Sequence, residues 1–165
     1  MYYEQTYEAR KELLHLLETL NDELLHQKEN PELWSVSENV EHLYLIETKI
    51  IKGLKAAIQT KLTVEAKDIN LEKLLANRTY KVKAPEDLIP TSKRYTKDEL
   101  IELLKQSRSN LEAFVKEVDD ASLNQYGFNH RWIGDLSVQQ WVQLIGYHER
   151  RHINQINETL RSTAQ

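Results

Sequence analysis

The segment from Leu136 to Ile156 constrains the fold most, because it has the pattern of a capped amphipathic helix. Ser137 and Gln140 have the spacing of a capping box, in which each side chain satisfies a free backbone amide at the helix start. One face then carries residues at spacings of three and four, namely Trp141, Ile145, His148, His152 and Ile156. A fold that buries this face turns both histidines inward.

Three further amphipathic repeats predict helices over residues 3–27, 35–62 and 96–119, the last two opened by capping boxes of the same kind. Between the second and third of these helices, residues 63–95 lose the repeat and form a connection too long for a simple bundle turn. The sequence therefore predicts an all-α four-helix bundle with one long crossover connection between helices two and three. We expect residues 1–165 to form a single domain.

The connections carry weaker signals. Residues 68–78 predict a short helix within the crossover, whereas prolines 85 and 90 argue against regular structure around them. Residues 124–135 are rich in aromatic side chains and predict a loop that leads into the last helix. Such a loop either packs against the end of the bundle or forms a wall of a site on that helix.

Composition excludes several classes of function. The chain has 165 residues, a formal net charge of -4 and no cysteine. Basic and acidic residues are interleaved, which argues against a nucleic-acid partner, and the sequence contains no long apolar run that predicts a membrane partner. The lack of cysteine excludes disulfides and a thiol nucleophile from the chain itself, and together with an N-terminus unlike a signal peptide it favours a cytoplasmic location.

The main functional signal is the histidine pair of the last helix. At positions i and i+4, His148 and His152 should have Cβ atoms roughly 6 Å apart, so both imidazoles can reach one divalent ion. Two ligands bind a metal weakly, so a third is expected from elsewhere. The best candidate is His42, which lies within the second predicted helix.

The same segment offers a second interpretation. His148, Glu149 and His152 match the His-Glu-x-x-His pattern of zinc metalloproteases, in which the glutamate is the general base. That mechanism requires a third ligand downstream, where Glu158 has a suitable spacing. However, Gln155 stands where the chain of such proteases turns back at a glycine, so the context argues against a protease.

Several motifs resemble the DinB-like family of bacterial metalloproteins, which includes YfiT-like proteins. A Trp-Ser-x-x-Glu segment precedes a histidine in the middle of a helix, and a proline-containing crossover and a Tyr-Thr-Lys-Asp-Glu-Leu helix start follow. An aromatic segment then leads to Leu-Ser, a tryptophan and a final His-x-x-x-His-x-x-Gln-Ile. The matching residues are Trp34, Ser35, Glu38, His42, Gly134, Leu136, Ser137, Trp141, His148, His152, Gln155 and Ile156. His130 departs from the family pattern, since Arg131 follows it where relatives often have proline.

This resemblance implies that His42, His148 and His152 are three neutral ligands of a divalent metal, with open positions for water or substrate. Zinc, nickel and iron all suit such a site. The resemblance also implies homodimerisation and, in some members, transfer of a low-molecular-weight thiol such as bacillithiol or mycothiol to a small-molecule substrate.

Thiol chemistry also has a physical basis. A metal held by neutral histidines can lower the pKa of an exogenous thiol, which this cysteine-free chain cannot supply itself. Our leading hypothesis is therefore a metal-dependent thiol S-transferase that acts on a small electrophile. The alternatives are a metal-dependent hydrolase and a non-catalytic metal-binding or stress-response protein.

Three other side chains have open roles at this stage. Glu149 is a candidate catalytic residue that orients a ligand or accepts a proton, with a salt bridge as the alternative. Arg108 lies in the middle of the third helix and fits either an exposed ion pair or contact with an anionic substrate group. Glu47 lies within an apolar stripe, where an unpaired carboxylate would be costly.

Overall fold

The structure of the protein is a computed structural model, which describes residues 1–28, 30–78 and 83–163. Its long helices pack as a bundle, with α1 against α7, α3 against both α5 and α7, and α1 also against α5. This arrangement confirms the predicted four-helix bundle. In chain order the helices are α1 (Glu4–Glu18), α2 (Asp22–His26), α3 (Val36–Gln59), α4 (Leu71–Ala76), α5 (Lys97–Glu117), α6 (Ser122–Gln125) and α7 (Val138–Thr163).

The three predicted capping boxes are present. At the start of α3, the Glu38 amide donates to Ser35 Oγ at 3.1 Å and the Ser35 amide donates to Glu38 Oε1 at 3.0 Å. The same reciprocal bonds open α5 and join Ser137 to Gln140 at the start of α7. Each box satisfies backbone donors that a helix start leaves free, so these starts are encoded locally.

The prediction of one continuous helix over residues 3–27 was wrong at its C-terminal end. Helix α1 stops at Glu18, and α2 begins after Asn21, whose side chain accepts a hydrogen bond from the Leu24 amide at 2.9 Å. The hydrophobic repeat continues across the break, because Leu20 and Leu25 are both buried. The Asn21 cap interrupts the backbone without interrupting the apolar face.

The crossover contains the predicted short helix in a reduced form, α4, which is capped by Asn70. A 3-10 turn at Glu86–Leu88, where we predicted no regular structure, buries Leu88. Glu41 of α3 holds the following residues, since it accepts hydrogen bonds from the amide and hydroxyl of Thr91 at 2.9 and 2.8 Å. Residues 79–82 of the predicted crossover lie outside the described residues.

The prediction of a loop over residues 124–135 was also wrong. Strands β1 (Gly127–His130) and β2 (Gly134–Ser137) form an antiparallel hairpin, and Gly134 adopts a φ of 102° at its turn. The Phe128 ring stacks on Trp141 at a centroid distance of 4.2 Å and packs against Gly53 of α3, where a Cβ would lie 2.5 Å from the ring. These tertiary contacts hold the hairpin against the bundle.

The apolar interior has two clusters. One is centred on the hairpin end and includes Leu54, Leu136 and Val142; the other lies between α1, α3, α5 and α7 and includes Leu13, Leu104 and Ile156. Across the parts of the chain that the structure describes, every helix is too short or too polar to span a lipid bilayer.

Candidate metal centre

Three histidines from two helices meet in the bundle. His42 comes from α3, and His148 and His152 come from successive turns of α7. One potential ligand atom of each lies within 4.8 Å of those of the other two. The Nε2 atoms of His148 and His152 are 3.2 Å apart. We call this cluster the histidine trio.

Hydrogen bonds orient two of the rings. The Nδ1 of His42 donates to the carbonyl of Leu88 at 2.7 Å, and the Nδ1 of His152 lies 2.8 Å from Oδ1 of Asn39. Because a carbonyl only accepts, His42 carries its hydrogen on Nδ1 and keeps a lone pair on Nε2. An imidazole of this kind has the form that binds a metal through Nε2.

The surroundings keep the trio neutral. Burial lowers the pKa of His42, and the hydrogen bond to Leu88 offsets only part of that effect. Burial lowers the pKa of His148 to about 3, and repulsion from the charged forms of His42, Arg151 and His130 adds a smaller effect. Burial and then His148 lower the pKa of His152 well below its ordinary value. All three rings therefore offer lone pairs at neutral pH.

The trio has one accessible side. His42 and His152 are only 4 % and 6 % exposed, whereas His148 is partly exposed. Trp34, also partly exposed, lies over the cluster with its ring centroid 4.9 Å from His42 and 6.2 Å from His152. A ligand that approaches from solvent therefore meets His148 and the indole.

His130 of the hairpin packs against Trp141 of α7, with the two ring centroids 5.3 Å apart. Its Nδ1 accepts hydrogen bonds from the amides of Trp132 and Ile133 at 3.1 and 3.2 Å, so the neutral ring carries its hydrogen on Nε2. Burial lowers its pKa, which keeps the ring neutral at pH 7.

A second buried polar cluster lies on the same two helices. Glu47 of α3 and Glu149 of α7 are each 1 % exposed, and they pair with Arg10 of α1 and Arg108 of α5. Arg10 Nη2 lies 2.6 Å from Glu149 and 3.3 Å from Glu47, and Arg108 Nη2 lies 2.9 Å from Glu47. We call these four residues the ionic quartet. It balances two positive charges against two negative ones.

Further hydrogen bonds complete the quartet. Arg10 Nη1 donates to the carbonyl of Leu104 at 2.9 Å, Arg108 Nη1 donates to the carbonyl of Thr6 at 3.1 Å, and the Ser107 hydroxyl donates to Glu47. Although burial alone would raise the pKa of Glu47, Arg10 and Arg108 outweigh it and lower that pKa. Burial raises the pKa of Glu149, an effect that attraction to Arg10 and Arg108 only partly offsets.

The quartet answers three questions left by the sequence. The prediction of an exposed ion pair or an anion-binding role for Arg108 was wrong, because the residue is 6 % exposed and paired internally. Glu47 is paired, as its position in an apolar stripe required. Glu149 forms the salt bridge that was the alternative to a catalytic role, and both of its carboxylate oxygens accept from Arg10. A carboxylate that is bound by Arg10 does not suit the general-base role of a metalloprotease. Glu158, the candidate downstream ligand of such a protease, pairs with Arg78.

Sequence reasoning missed two residues of these clusters. Asn39 lies three positions before His42, on the same face of α3, and is 2 % exposed. Arg10 lies three positions before Leu13, on the buried face of α1. A polar side chain in phase with the apolar repeat was a signal in both cases, because burial of such a group requires a partner.

The donor set fits a divalent metal. Three neutral imidazoles converge, two of them with Nδ1 atoms facing fixed oxygen atoms, and the Nε2 atoms of His148 and His152 lie 3.2 Å apart, within hydrogen-bond distance. Without a metal, neutral His148 can donate its Nε2–H to the Nε2 lone pair of His152, and when that hydrogen sits on Nδ1 of His148 instead, both Nε2 lone pairs are free for an ion. Zinc, nickel and iron accept imidazole nitrogen in this number.

Sequence comparison defines the class of protein. Residues 5–156 match the sequence profile of the DinB superfamily, and the chain belongs to that family. It is 34 % identical over 155 residues to the uncharacterized protein YuaE of Bacillus subtilis (strain 168), and the match covers 92 % of each chain.

Solved structures support the same fold. YfiT from Bacillus subtilis, described as a probable metal-dependent hydrolase with an unusual four-helix bundle topology, is 18 % identical with a TM-score of 0.67, covering 99 % of this chain and 86 % of that one. The four-helix bundle protein TT2238 is 20 % identical with a TM-score of 0.64, covering 95 % and 96 %. At these identities the likeness concerns the fold.

Proposed function

We propose that this protein is a metal-dependent enzyme that transfers an exogenous low-molecular-weight thiol to a small electrophilic substrate. The observation that carries the proposal is the histidine trio, in which three uncharged imidazoles meet beside an accessible indole. When bound there, a zinc, nickel or iron ion would supply a Lewis acid that lowers the pKa of a coordinated thiol or water.

The residues of the chain divide the remaining tasks. His42, His148 and His152 would hold the ion through nitrogen. Trp34 offers a flat apolar surface beside the trio for the body of a substrate. The chain has no cysteine, so the nucleophilic sulfur must come from a second small molecule.

His130 is positioned for a different task. Since backbone amides occupy its Nδ1, the ring carries its hydrogen on Nε2, and we propose that this N–H donates to a polar atom of the substrate. The ring lies 5.3 Å from that of Trp141, which restricts its orientation. We assign no proton transfer to Glu149, because Arg10 occupies its carboxylate.

Hydrolysis is the second candidate function. The description of YfiT as a probable metal-dependent hydrolase favours it, since the two proteins share a fold over nearly the whole chain. The trio suits either reaction, because both require a nucleophile whose pKa is lowered at the centre. The choice depends on whether thiol or water reacts.

Metal analysis tests the site itself. We expect one divalent ion per chain in wild-type protein after dialysis against a low concentration of zinc, and much less in His148→Ala and His152→Ala. Removing a ligand should weaken binding by more than the roughly 10–100-fold that loss of a ligand's hydrogen-bond partner costs. Replacement of the exposed His15 by Ala is the control and should leave metal content unchanged. Equal metal content in all four proteins would refute the site.

A substrate panel tests the chemistry. Zinc- and nickel-loaded protein is incubated with bacillithiol, mycothiol or glutathione and a chromogenic electrophile, and thiol consumption is compared with that of His148→Ala treated with the same metal. The proposal predicts consumption in wild type alone. If wild type consumes no more thiol than the variant but hydrolyses members of an ester or amide panel, the transferase proposal is wrong and the hydrolase is favoured. Inactivity on both panels with one bound ion would favour a non-catalytic metal-binding protein.

Homodimerisation, which the family resemblance implies, is part of the same proposal. Sedimentation of the purified protein over a range of concentrations would detect it.

A further inference from the structure

The Nδ1 atoms of His42 and His152 have different kinds of hydrogen-bond partner. His42 Nδ1 donates to a main-chain oxygen, that of Leu88, whereas His152 Nδ1 faces a side-chain oxygen, that of Asn39. A substitution of Asn39 removes its side-chain oxygen, whereas a substitution of Leu88 would leave its main-chain oxygen in place. The role of Asn39 is therefore open to a direct test.

A second hydrogen bond fixes the direction of the Asn39 amide. Its Nδ2 donates to the carbonyl of Ser35 at 3.0 Å. If the amide were turned over, Oδ1 would face that carbonyl and two acceptors would meet in a buried position. Oδ1 therefore faces His152 and must accept from it. His152 carries its hydrogen on Nδ1 and its lone pair on Nε2, which lies 3.2 Å from Nε2 of His148.

The start of α3 fixes the position of Asn39. Ser35 is the N-cap, held by the reciprocal bonds with Glu38, and its carbonyl accepts both the backbone and the side-chain N–H of Asn39. The side chain is buried, with 2 % of its surface exposed, so no water replaces these bonds. A local capping motif thus determines where the amide oxygen points, and the amide oxygen determines which nitrogen of His152 is free.

We propose that Asn39 is a positioning residue that holds His152 in the tautomer whose Nε2 lone pair faces the metal centre. This inference rests on the proposed metal site, because the tautomer affects function only if Nε2 binds an ion. Loss of the acceptor would let His152 place its hydrogen on Nε2, and metal binding would then have to displace that hydrogen to Nδ1, where it would lack a partner.

The test uses three variants of the full chain. Asn39→Leu removes the acceptor and keeps the same branching of heavy atoms, and Asn39→Asp retains an oxygen that accepts from Nδ1. Thr6→Val is the matched control, because it removes a different buried hydrogen bond to α7, from Thr6 Oγ1 to the carbonyl of Val142 at 2.8 Å, remote from His152 Nδ1. Thermal unfolding of each protein without metal establishes that it folds.

The first readout is the tautomer of His152 in metal-free protein, measured by nitrogen-15 NMR of the imidazole rings at pH 7.5. We expect the Nδ1–H form in wild type, Thr6→Val and Asn39→Asp, and a shift toward the Nε2–H form in Asn39→Leu. The second readout is the zinc dissociation constant from competition with a chromogenic chelator. It should rise roughly 10–100-fold in Asn39→Leu and stay near the wild-type value in Thr6→Val.

The outcomes separate this inference from the proposed function. If Asn39→Leu keeps both the wild-type tautomer and the wild-type zinc affinity, Asn39 does not position His152. An Nε2–H tautomer in wild type would overturn the inference in the same way, whether or not the protein binds zinc. If wild type shows the Nδ1–H tautomer but binds no zinc, the proposed metal site fails while the hydrogen bond stands. If Asn39→Leu fails to fold, Asn39→Asp decides, since loss of the Nδ1–H form there would contradict the proposal.

Discussion

The histidine trio and the ionic quartet lie on the same pair of helices, α3 and α7, yet they are buried in opposite ways. The quartet pairs each charge with an opposite one, and Nη1 of each arginine donates to a carbonyl, that of Leu104 for Arg10 and that of Thr6 for Arg108, while Arg108 Nη2 has ion-pair contacts without a hydrogen bond. The trio consists of uncharged rings, two of which use Nδ1 in hydrogen bonds to fixed oxygen atoms, and the Nε2 atoms of His148 and His152 lie 3.2 Å apart. The charges of the quartet are balanced within the chain, whereas we propose that a metal ion completes the trio.

The contrast teaches how to separate structural from functional polar groups in a core. Burial alone does not distinguish them, since Glu149 and His152 are 1 % and 6 % exposed and lie within one turn of each other. The kind of partner does distinguish them. The four carboxylate oxygens of the quartet all contact guanidinium groups or a hydroxyl, while the Nε2 atoms of His148 and His152 have only each other.

The largest effect should come from breaking the quartet. In Glu47→Ala, Arg10 and Arg108 lose a buried counter-charge, which leaves excess positive charge in the core. We expect the free energy of unfolding in urea to fall by roughly 3–5 kcal/mol. Glu12→Gln is the control, because it removes an exposed ion pair with Arg150 and should cost no more than about 1 kcal/mol. Equal losses in the two variants would show that the quartet does not stabilise the fold.

Zinc should stabilise the fold by binding to the trio and not to the quartet. A ligand that binds only the folded state raises the free energy of unfolding by about 2.7 kcal/mol at a concentration 100 times its dissociation constant. We expect zinc to stabilise wild-type protein by this amount and to leave His152→Ala nearly unchanged in thermal unfolding. Stabilisation of His152→Ala by the same amount would place the binding site elsewhere.

The two clusters should also differ in pH dependence. Since burial lowers the pKa values of His42, His148 and His152, the unfolded chain binds more protons than the folded chain below pH about 6.5. Stability of the metal-free protein should therefore fall as the pH falls below 6.5. The lowered pKa of Glu47 affects stability only at lower pH. Its contribution to stability is lost as the pH falls below the pKa of Glu in the unfolded chain, about 4.3.

A single substitution isolates the contribution of the trio to this pH dependence. Each histidine that stays neutral in the fold should account for about 1.4 kcal/mol of the loss between pH 7.5 and 5.5. Over this range, we expect the free energy of unfolding of metal-free His152→Gln to fall by about 1.4 kcal/mol less than that of metal-free wild type. An identical pH dependence in both proteins would mean that His152 titrates normally in the fold.

Much of the bundle could be predicted from the sequence, because its long helices begin at local signals. The capping boxes at Ser35, Thr96 and Ser137 are complete within four residues each, and the apolar repeats that follow define the buried faces. The same periodicity placed His42, His148 and His152 on inward faces, and the structure brings them together. Metal binding by these residues remains a prediction.

The parts that sequence reasoning missed depend on distant contacts. The hairpin has strands of only four residues, and it is held by Phe128 packing against Gly53 and Trp141, which no local pattern reveals. The same holds for the quartet, because Arg10 and Glu149 are 139 positions apart. The break before α2 had a local signal, the Asn21 cap, that the continuing apolar repeat concealed.

X-ray absorption at the zinc edge of the zinc-loaded protein tests the central claim most directly. We predict one ion bound by three imidazole nitrogens at about 2.0–2.1 Å in wild type, and an ion with only two imidazole nitrogens in His42→Ala. A spectrum with fewer than three imidazoles in wild type, or one that His42→Ala leaves unchanged, would contradict the assignment of the trio as the metal centre.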